Sequence, residues 1–336
     1  MAKVGVCVVG GGRIGTIHID SLRRNPRARI SCFVDVDEKR RNEVAALEDG
    51  IVTAASLEEA IDRREEIQID GVIICSPTAH HFAQVKLCIA NGIPIMCEKP
   101  LSMNHEEIGQ AYHLASEANV PLLCGYQRRH DPSYVALEKA LSEGKVGDVR
   151  TIRSCSRDNP VPSMHFLKIS GGIMHDCASH DIDLCLWMAK EDPCEVFAMA
   201  SAFNKEIGAI DDWDTVMITL KFPSGKLASI ELSRHAPYGY DQRLEVLGVS
   251  GMLQVENRRP TTLVTSLESG ISVDPNCFSF PQRYTDTYAI EVDHFLDIIQ
   301  KGVQPKVDGE SCRKVAIIAD RAHEACKLGK PLPLQF

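Results

Sequence analysis

The sequence predicts a two-domain α/β protein, with an N-terminal doubly wound parallel sheet and a C-terminal α/β domain built on a large, mostly antiparallel sheet. Over roughly the first 125 residues, strand-like and helix-like segments alternate, as in parallel sheets with right-handed crossovers. From Val149 onward, strand-like runs dominate and turn signals such as Pro223-Ser224-Gly225 separate them. The segment GYQRRHDP (Gly125–Pro132) resembles a hinge. We therefore divide the chain into a cofactor domain (1–127) and a substrate-binding and oligomerisation domain (128–336).

Composition narrows the possible functions. The 336 residues suffice for two domains, and 44% apolar with 25% charged residues is ordinary for a globular protein. The net charge of −9 argues against nucleic acid or an anionic membrane as partner. No apolar run approaches the length of a membrane span, and the N-terminus has no signal-peptide pattern. The thirteen cysteines include no CxxC pair, which favours free thiols and a cytoplasmic location.

The first half contains five predicted strands and five predicted helices. The strands are Lys3–Val9, Arg29–Val34, Asp70–Cys75, Pro94–Cys97 and Leu122–Gly125; the helices are 13–25, Glu38–Leu47, Ser56–Arg64, His80–Asn91 and Asn104–Asn119.

A glycine-rich turn, GGGRIG, joins the first strand to the first helix. Gly10, Gly12 and Gly15 have the G-x-G-x-x-G spacing, and Asp35 ends the second strand. This context is typical of a Rossmann dinucleotide site: the first glycine permits the tight turn, the second lets the backbone approach a pyrophosphate, and the third permits close packing. We expect Arg13 and Ile14 to contact the same cofactor. The plain alternative is a glycine-rich turn without a ligand.

The acidic end of the second strand favours NAD over NADP. Asp35 is placed to accept hydrogen bonds from the adenosine ribose, and a 2′-phosphate would meet both Asp35 and Asp37. Arg40 and Arg41 are the residues that could reverse this preference.

Two later strand ends also carry polar residues where a doubly wound sheet binds its ligand. The residues that we expect near the cofactor there are Ser76, Pro77, Thr78 and His81 after one strand, Glu98 and Lys99 after the next, and Gln127 after the last. A lysine is usually simply exposed. Lys99, however, ends a buried-looking strand and precedes Pro100, so it could donate to a substrate hydroxyl.

The second half contains seven predicted strands and two closing helices. The strands are Val149–Ser156, Cys194–Phe203, Asp214–Phe222, Lys226–Ser233, Gln242–Gly248, Gly251–Glu256 and Thr262–Ser266; the helices are Thr285–Lys301 and Gly309–Leu328.

One helical segment, Gly171–Trp187, interrupts these strands. At about 100° per residue, Asp176, His180, Asp183 and Trp187 form one stripe between apolar residues. Burying two carboxylates and an imidazole requires partners, either a satisfied structural network or a ligand. A zinc site is not predicted, because His175 and His180 are five residues apart and do not converge on one helix face.

Taken together, GGGRIG, Asp35, Glu98-Lys99-Pro100 and the D-x-x-x-H of Asp176 and His180 resemble the Gfo/Idh/MocA oxidoreductases. The segment YGYDQRLEVLG (Tyr238–Gly248) is most similar to the inositol 2-dehydrogenase group of that family. The resemblance implies an open-faced C-terminal sheet that mediates dimers or tetramers. It also implies a catalytic triad of Lys99, Asp176 and His180, with Tyr240 near the substrate.

One segment departs from the family pattern. SRDNP (Ser156–Pro160) stands where a histidine–asparagine pair contacts the substrate, so we expect Arg157 and Asn159 to contact it here. This departure leaves the particular polyol open.

The resemblance predicts NAD-dependent oxidation of a secondary ring hydroxyl of a cyclic polyol, myo-inositol or a close relative. An imidazole titrates near neutral pH, so His180 is expected to be the general base, while Lys99 stabilises the developing alkoxide and Asp176 orients His180. Asp183 either binds a further hydroxyl or is structural. The alternatives are another sugar or polyol dehydrogenase, a reductase, or a non-catalytic cofactor-sensing regulator.

Overall fold

The computed structural model describes residues 3–336. The elements up to residue 131 are β1 (Val4–Val9), α1 (Arg13–Arg24), β2 (Ala28–Val34), α2 (Glu38–Ala45), β3 (Val52–Ala54), α3 (Leu57–Asp62), α4 (Arg64–Ile67), β4 (Gly71–Ile74), α5 (Thr78–Ala90), β5 (Ile95–Glu98), α6 (His105–Glu117), β6 (Leu122–Gly125) and a 3₁₀ turn (Gln127–His130).

The remaining elements are α7 (Pro132–Ser142), β7 (Val149–Arg157), α8 (Met164–Leu167), a π-helical turn (Met174–Ala178), α9 (Ser179–Ala189), β8 (Glu195–Ser201), α10 (Lys205–Gly208), β9 (Thr215–Lys221), β10 (Leu227–Ser233), β11 (Asp241–Gly248), β12 (Met252–Val255), β13 (Val264–Leu267), β14 (Gly270–Val273), α11 (Phe280–Arg283), α12 (Thr285–Lys301), α13 (Gly309–Leu328) and β15 (Leu332–Pro333).

These residues form two compact units. The first comprises the chain up to Asp131 together with Thr285–Arg313, and the second comprises Pro132–Tyr284 together with Lys314–Phe336. The N-terminal part of the first unit ends at Asp131 and the second unit begins at Pro132, four residues after the boundary predicted at 127/128. They differ from the sequence-based division at Thr285–Arg313, which packs with the first unit although it follows the second in the chain.

The first unit is built on a six-stranded sheet in the order β3-β2-β1-β4-β5-β6. All of its strand pairs are parallel, which is the doubly wound arrangement predicted. Every residue of the central strand β1 is buried, as expected for a strand that helices cover on both faces. This topology brings the ends of β1, β2, β4 and β5 to one edge of the sheet, where the candidate cofactor residues lie.

Helix α12 completes this unit from a distant part of the chain. Phe295 and Ile299 pack against Gly71, where an added Cβ would lie 2.6 Å from the Ile299 side chain. At the surface, the Arg27 guanidinium pairs with Asp297 at 2.5 Å and with Asp293 at 3.4 Å.

The second unit is built on a seven-stranded sheet in the order β12-β11-β7-β10-β9-β8-β15. Neighbouring strands are antiparallel except β7 and β10, which run parallel, so the sheet is mixed but mostly antiparallel as predicted. Strand residues alternate between a buried and an open face, for example in β9. Strands β13 and β14 form a separate, fully exposed hairpin.

The open face of the seven-stranded sheet carries two apolar cross-strand pairs. Met199 lies opposite Met217, and Leu247 lies opposite Met252. All four side chains are exposed within the chain. Large apolar groups on one face of a sheet are typical of a surface that another protein covers.

Within the described residues, no helix combines the length and the hydropathy that crossing a bilayer requires. All thirteen cysteines are free thiols.

Candidate active-site residues

The glycine-rich turn has the geometry that a dinucleotide requires. Gly10 has φ +95°, a conformation that strongly favours glycine. An added Cβ at Gly15 would lie 1.9 Å from the Gly10 carbonyl oxygen, so this position packs too closely for a side chain. An added Cβ at Gly12 would meet nothing within 4 Å. The turn is therefore tight on its inner side and open on its outer side.

The beginning of α1 faces this open side. Gly12 is the N-cap of α1 and supplies no side-chain hydrogen bond, so the first-turn N–H groups have no side-chain cap. Arg13 and Ile14 belong to this first turn. A helix N-terminus beside an open backbone suits a pyrophosphate, and the contacts of Arg13 and Ile14 with NAD stay predictions.

Asp35 lies against the same turn. Its carboxylate accepts hydrogen bonds from the backbone N–H of Gly11 at 2.7 Å and of Asp37 at 2.9 Å. The two arginines that could recruit a 2′-phosphate are engaged with backbone carbonyls: Arg40 donates to Gly11 at 3.0 Å, and Arg41 donates to Asp35 at 2.7 Å. The Asp35 carboxylate and the Arg40 guanidinium therefore both contact the turn, and the preference for NAD over NADP stays a prediction.

His81 ties together the loops that follow β4 and β5. Its buried ring lies between the carbonyl oxygens of Ser76 at 2.7 Å and Pro100 at 2.9 Å. Burial lowers the pKa of His81, which opposes its charged form. Pro77 is the N-cap of α5 and Thr78 its first residue. The structure thus gives His81 a structural partner on each side and leaves its predicted cofactor contact a prediction.

Glu98 and Lys99 stand at the end of β5. Glu98 is buried and hydrogen-bonded to His18 at 2.6 Å, whereas Lys99 is half-buried. Gln127, in the 3₁₀ turn that follows β6, is buried. These residues lie at the edge of the sheet where the glycine-rich turn also lies.

In the second unit, the predicted helix Gly171–Trp187 is divided in two. Gly171 and Gly172 have φ of +81° and +76°, the π-helical turn Met174–Ala178 follows, and α9 begins at Ser179. Asp176 and His180 are half-buried and Asp183 is buried. A π turn contains an extra residue, and such turns occur frequently at functional sites.

Asp176 is held by a buried arginine that sequence reasoning did not single out. The fully buried Arg234 contacts the Asp176 carboxylate through Nη1 and lies 3.8 Å from Asp212 Oδ2 through Nη2. Asp212 in turn accepts a hydrogen bond from the Ile173 N–H at 3.0 Å. The arginine thus fixes both the carboxylate and the beginning of the π turn.

The other predicted substrate residues have partners of their own. Arg157 donates to Glu231 at 3.0 Å, Asn159 donates to the Phe278 carbonyl at 2.9 Å, and the buried Tyr240 packs edge-on against Tyr284. Their roles toward a substrate stay predictions.

Two further buried carboxylates were missed. Asp181 on α9 accepts a hydrogen bond from Ser154 at 2.6 Å, and Glu291 on α12 lies with His18 and Glu98. His175, which the sequence placed beside Asp176, bonds Asp320 at 2.9 Å. The sequence shows only that these residues are polar. It does not show that they are paired, because their partners are far away in the chain.

Two family models together span most of the chain. Residues 4–126 match the oxidoreductase family with an NAD-binding Rossmann fold, and residues 134–254 match the GFO/IDH/MocA C-terminal domain.

Full-length relatives are also similar. The chain is 34% identical to the inositol 2-dehydrogenase of Rhizobium meliloti strain 1021, covering 94% of each protein. It is 33% identical to the myo-inositol 2-dehydrogenase of Thermotoga maritima, covering 98% of each. The crystal structure of a putative myo-inositol dehydrogenase from Sinorhizobium meliloti 1021 matches with a TM-score of 0.92 at 32% identity, over 99% of this chain and all of that one.

Proposed function

Because the chain belongs to the Gfo/Idh/MocA family of NAD-binding oxidoreductases, we propose that it oxidises a secondary ring hydroxyl of a cyclic polyol to the ketone. The names of the similar proteins point to myo-inositol or a closely related polyol as the substrate. The observation that carries the proposal is the Asp176–Arg234 pair, with Asp176 four residues before His180 in the sequence, in a chain that also has a dinucleotide turn.

The cofactor residues of the proposal are those of the glycine-rich turn. Gly10, Gly12 and Gly15 shape the backbone, the first-turn N–H groups of α1 hold the pyrophosphate, and Asp35 accepts from the ribose. When bound, NAD supplies the acceptor for the hydride that leaves the hydroxyl-bearing carbon.

Three side chains carry out the proton chemistry. His180 takes the hydroxyl proton, and Lys99 donates to the same oxygen and stabilises its negative charge. Asp176 orients His180, and the buried Arg234 guanidinium holds the Asp176 carboxylate in place. The alcohol thereby loses a hydride and a proton and becomes a ketone.

We assign specificity for the polyol to four further side chains: Asp183, Tyr240, Arg157 and Asn159. Another sugar or polyol dehydrogenase, a reductase working in the opposite direction, and a cofactor-sensing regulator remain the competing functions.

The direct test is a panel of inositol isomers and aldoses, assayed with NAD and with NADP for production of the reduced nicotinamide. We expect oxidation of a cyclic polyol with a higher kcat/KM for NAD than for NADP. Lys99→Ala and His180→Ala are expected to lower kcat by about 100-fold or more while the Kd for NAD changes little, because both act on the reacting oxygen.

His175→Ala is the matched control, because this imidazole lies in the same segment but bonds Asp320. Near-wild-type turnover in Lys99→Ala or His180→Ala would remove that residue from the mechanism. NAD binding without turnover of any substrate would favour the regulator, and preference for NADP would contradict the role of Asp35.

The proposal includes a homodimer or homotetramer in the cytoplasm. The exposed pairs Met199–Met217 and Leu247–Met252 give the open sheet face an apolar surface for a second copy. Thirteen free thiols are suited to a reducing compartment.

A further inference from the structure

Four titratable side chains meet inside the first unit, and one of them is next to Lys99 in the chain. They are His18 on α1, Glu98 at the end of β5, His130 in the 3₁₀ turn and Glu291 on α12. All four are buried, and His18 and Glu291 are 0% exposed. We call them the acid–histidine cluster. The burial of two carboxylates requires an explanation, because burying a charge costs several kcal/mol unless a partner compensates it.

Glu98 is the centre of this cluster and the member that connects to Lys99. Its Oε1 lies 2.6 Å from His18 Nε2, and its Oε2 accepts a hydrogen bond from the Lys99 backbone N–H at 3.3 Å. The neighbouring strand makes room for it: an added Cβ at Gly125 would lie 3.0 Å from Glu98 Oε2. The orientation of this carboxylate is therefore coupled to the backbone from which the Lys99 side chain projects.

The ligand-like atoms of His18, Glu98 and Glu291 all lie within 4.8 Å of one another, so a bound metal ion is the first alternative. Two ligand atoms on one tetrahedral zinc ion, each about 2.0 Å from the metal, lie about 3.3 Å apart. The 2.6 Å between His18 and Glu98 is shorter than that and is a hydrogen-bond distance. The geometry therefore favours a proton over a metal.

The charges around Glu291 favour the same interpretation. Burial, and then the charge of Glu98, raise the pKa of Glu291 well above its ordinary range. His130, with Nδ1 3.6 Å from Glu291 Oε1, is neutral, because burial and nearby positive charges lower its pKa to about 2. The nearby thiol of Cys75 is neutral as well, since burial raises its pKa. His18 and Glu98 also lie beside Glu291, with the ligand-like atoms of the three side chains within 4.8 Å of one another.

We propose that His18 is a positioning residue for Lys99: its ring holds the Glu98 carboxylate in one orientation, Glu98 fixes the Lys99 backbone, and Glu291 stays protonated beside them. The inference rests on the proposed function of Lys99. His18 supplies the hydrogen bond to Glu98, and a protonated Glu291 adds no second negative charge next to it. None of the cluster is required to touch the substrate.

The first test compares His18→Leu, which removes the hydrogen-bond donor, with His18→Gln, which keeps an amide donor. In His18→Leu we expect kcat to fall by about 10- to 100-fold, the size of effect that a displaced reacting group produces, with KM and the Kd for NAD within about threefold. His18→Gln should recover most of the loss. Ser21→Ala, one turn along α1, is the control for the helix. Equal kcat in His18→Leu and wild type, or equal loss in both His18 variants, would overturn the role of His18.

The second test measures Tm against pH for wild type and Glu291→Gln. A carboxyl with a raised pKa binds its proton more tightly in the folded state, so its contribution to stability is complete below the unfolded pKa of about 4.3 and is lost as pH rises toward the folded pKa. Glutamine cannot ionise. The Tm of Glu291→Gln relative to wild type should therefore rise by about 2–6 °C between pH 5 and pH 8, whereas Glu65→Gln, at an exposed position, should show no such trend.

A flat or falling difference in Tm would overturn the neutral state of Glu291, and so would a stoichiometric divalent metal in the purified protein that only a chelator removes. This second test requires no substrate. If wild type oxidises no polyol while the Tm trend is present, the proposed function fails and the proton assignment stands.

Discussion

Arg234 is the buried charged residue that contacts Asp176, one of the predicted catalytic residues. It has no exposed surface, yet it carries a permanent charge and two carboxylates, Asp176 and Asp212, lie beside it. A buried charge is tolerated when its partners are well placed, and removing one partner leaves the others uncompensated. Arg234 therefore stabilises the fold and also holds the Asp176 carboxylate in place.

Replacing this arginine should affect both stability and rate. We expect Arg234→Met to lose about 3–5 kcal/mol of unfolding free energy, the usual result of breaking a buried pair. Arg234→Lys keeps the charge but has one nitrogen for two carboxylates, so it should lose less stability while kcat/KM still falls. Urea unfolding and steady-state kinetics measure the two effects.

Arg321→Met is the matched control, because the Arg321 guanidinium pairs with Glu324 within α13, away from the open sheet face. It should change stability by no more than about 1 kcal/mol. An Arg234→Met variant as stable and active as Arg321→Met would show that Asp176 does not need its buried partner.

At the scale of single residues, a role can be predicted from the sequence when a nearby motif or a regular spacing indicates it. Asp35 follows from its distance to the glycine-rich turn, and Asp176 with His180 from helical spacing. Arg234 follows an alternating strand and offers no such signal, because Asp176 and Asp212 reach it only through the fold. His18 and Glu291 were missed for the same reason, since contacts between distant segments carry no local pattern.

Among the elements, the turn between β1 and α1 contains one glycine that the fold requires and another that only ligand binding would require. An added methyl group at Gly15 would meet the Gly10 carbonyl oxygen at 1.9 Å, whereas at Gly12 it would meet nothing within 4 Å. Gly12 also has an ordinary φ of −68°. The fold itself thus requires Gly15, whereas we expect Gly12 to be required only by a ligand that approaches the turn.

Gly15→Ala and Gly12→Ala should therefore fail in different ways. Gly15→Ala should lower Tm, because the turn must open to admit the methyl group. Gly12→Ala should leave Tm of the free protein nearly unchanged but weaken NAD binding by about 10-fold or more, because the methyl group occupies the approach of the pyrophosphate. Thermal unfolding and calorimetric titration with NAD measure these effects; unchanged NAD affinity in Gly12→Ala would contradict the cofactor site.

Element types followed from periodicity more reliably than element boundaries did. Strands such as β10, predicted over Lys226–Ser233, were found within one residue at each end. The helix predicted over Gly171–Trp187 instead contains a π turn, and its neighbours Asp212 and Arg234, which contact Ile173 and Asp176, come from distant segments of the chain. The parallel pairing of β7 and β10 inside an otherwise antiparallel sheet was also missed, because pairing partners are chosen by topology.

For the whole molecule, the open face of the seven-stranded sheet makes a prediction about assembly. The double variant Met199→Lys/Met217→Lys places two positive charges at one exposed cross-strand pair. If a second copy covers this face, the variant should be monomeric by light scattering and sedimentation, because unpaired charges in an interface core are costly. Ile271→Lys, on the separate exposed hairpin, should leave the assembly intact. The reverse result would place the interface on the hairpin.

The first unit is divided between two distant stretches of chain, and this division affects how it folds during translation. The strands of the parallel sheet emerge first, but α12, which supplies Glu291 and packs Phe295 and Ile299 on Gly71, is synthesised only after β7–β14. Until then the nascent sheet lacks one of its covers, and Glu98 and His18 lack one of their partners. The cofactor domain therefore reaches its final packing late in translation, although its N-terminal segment emerges first.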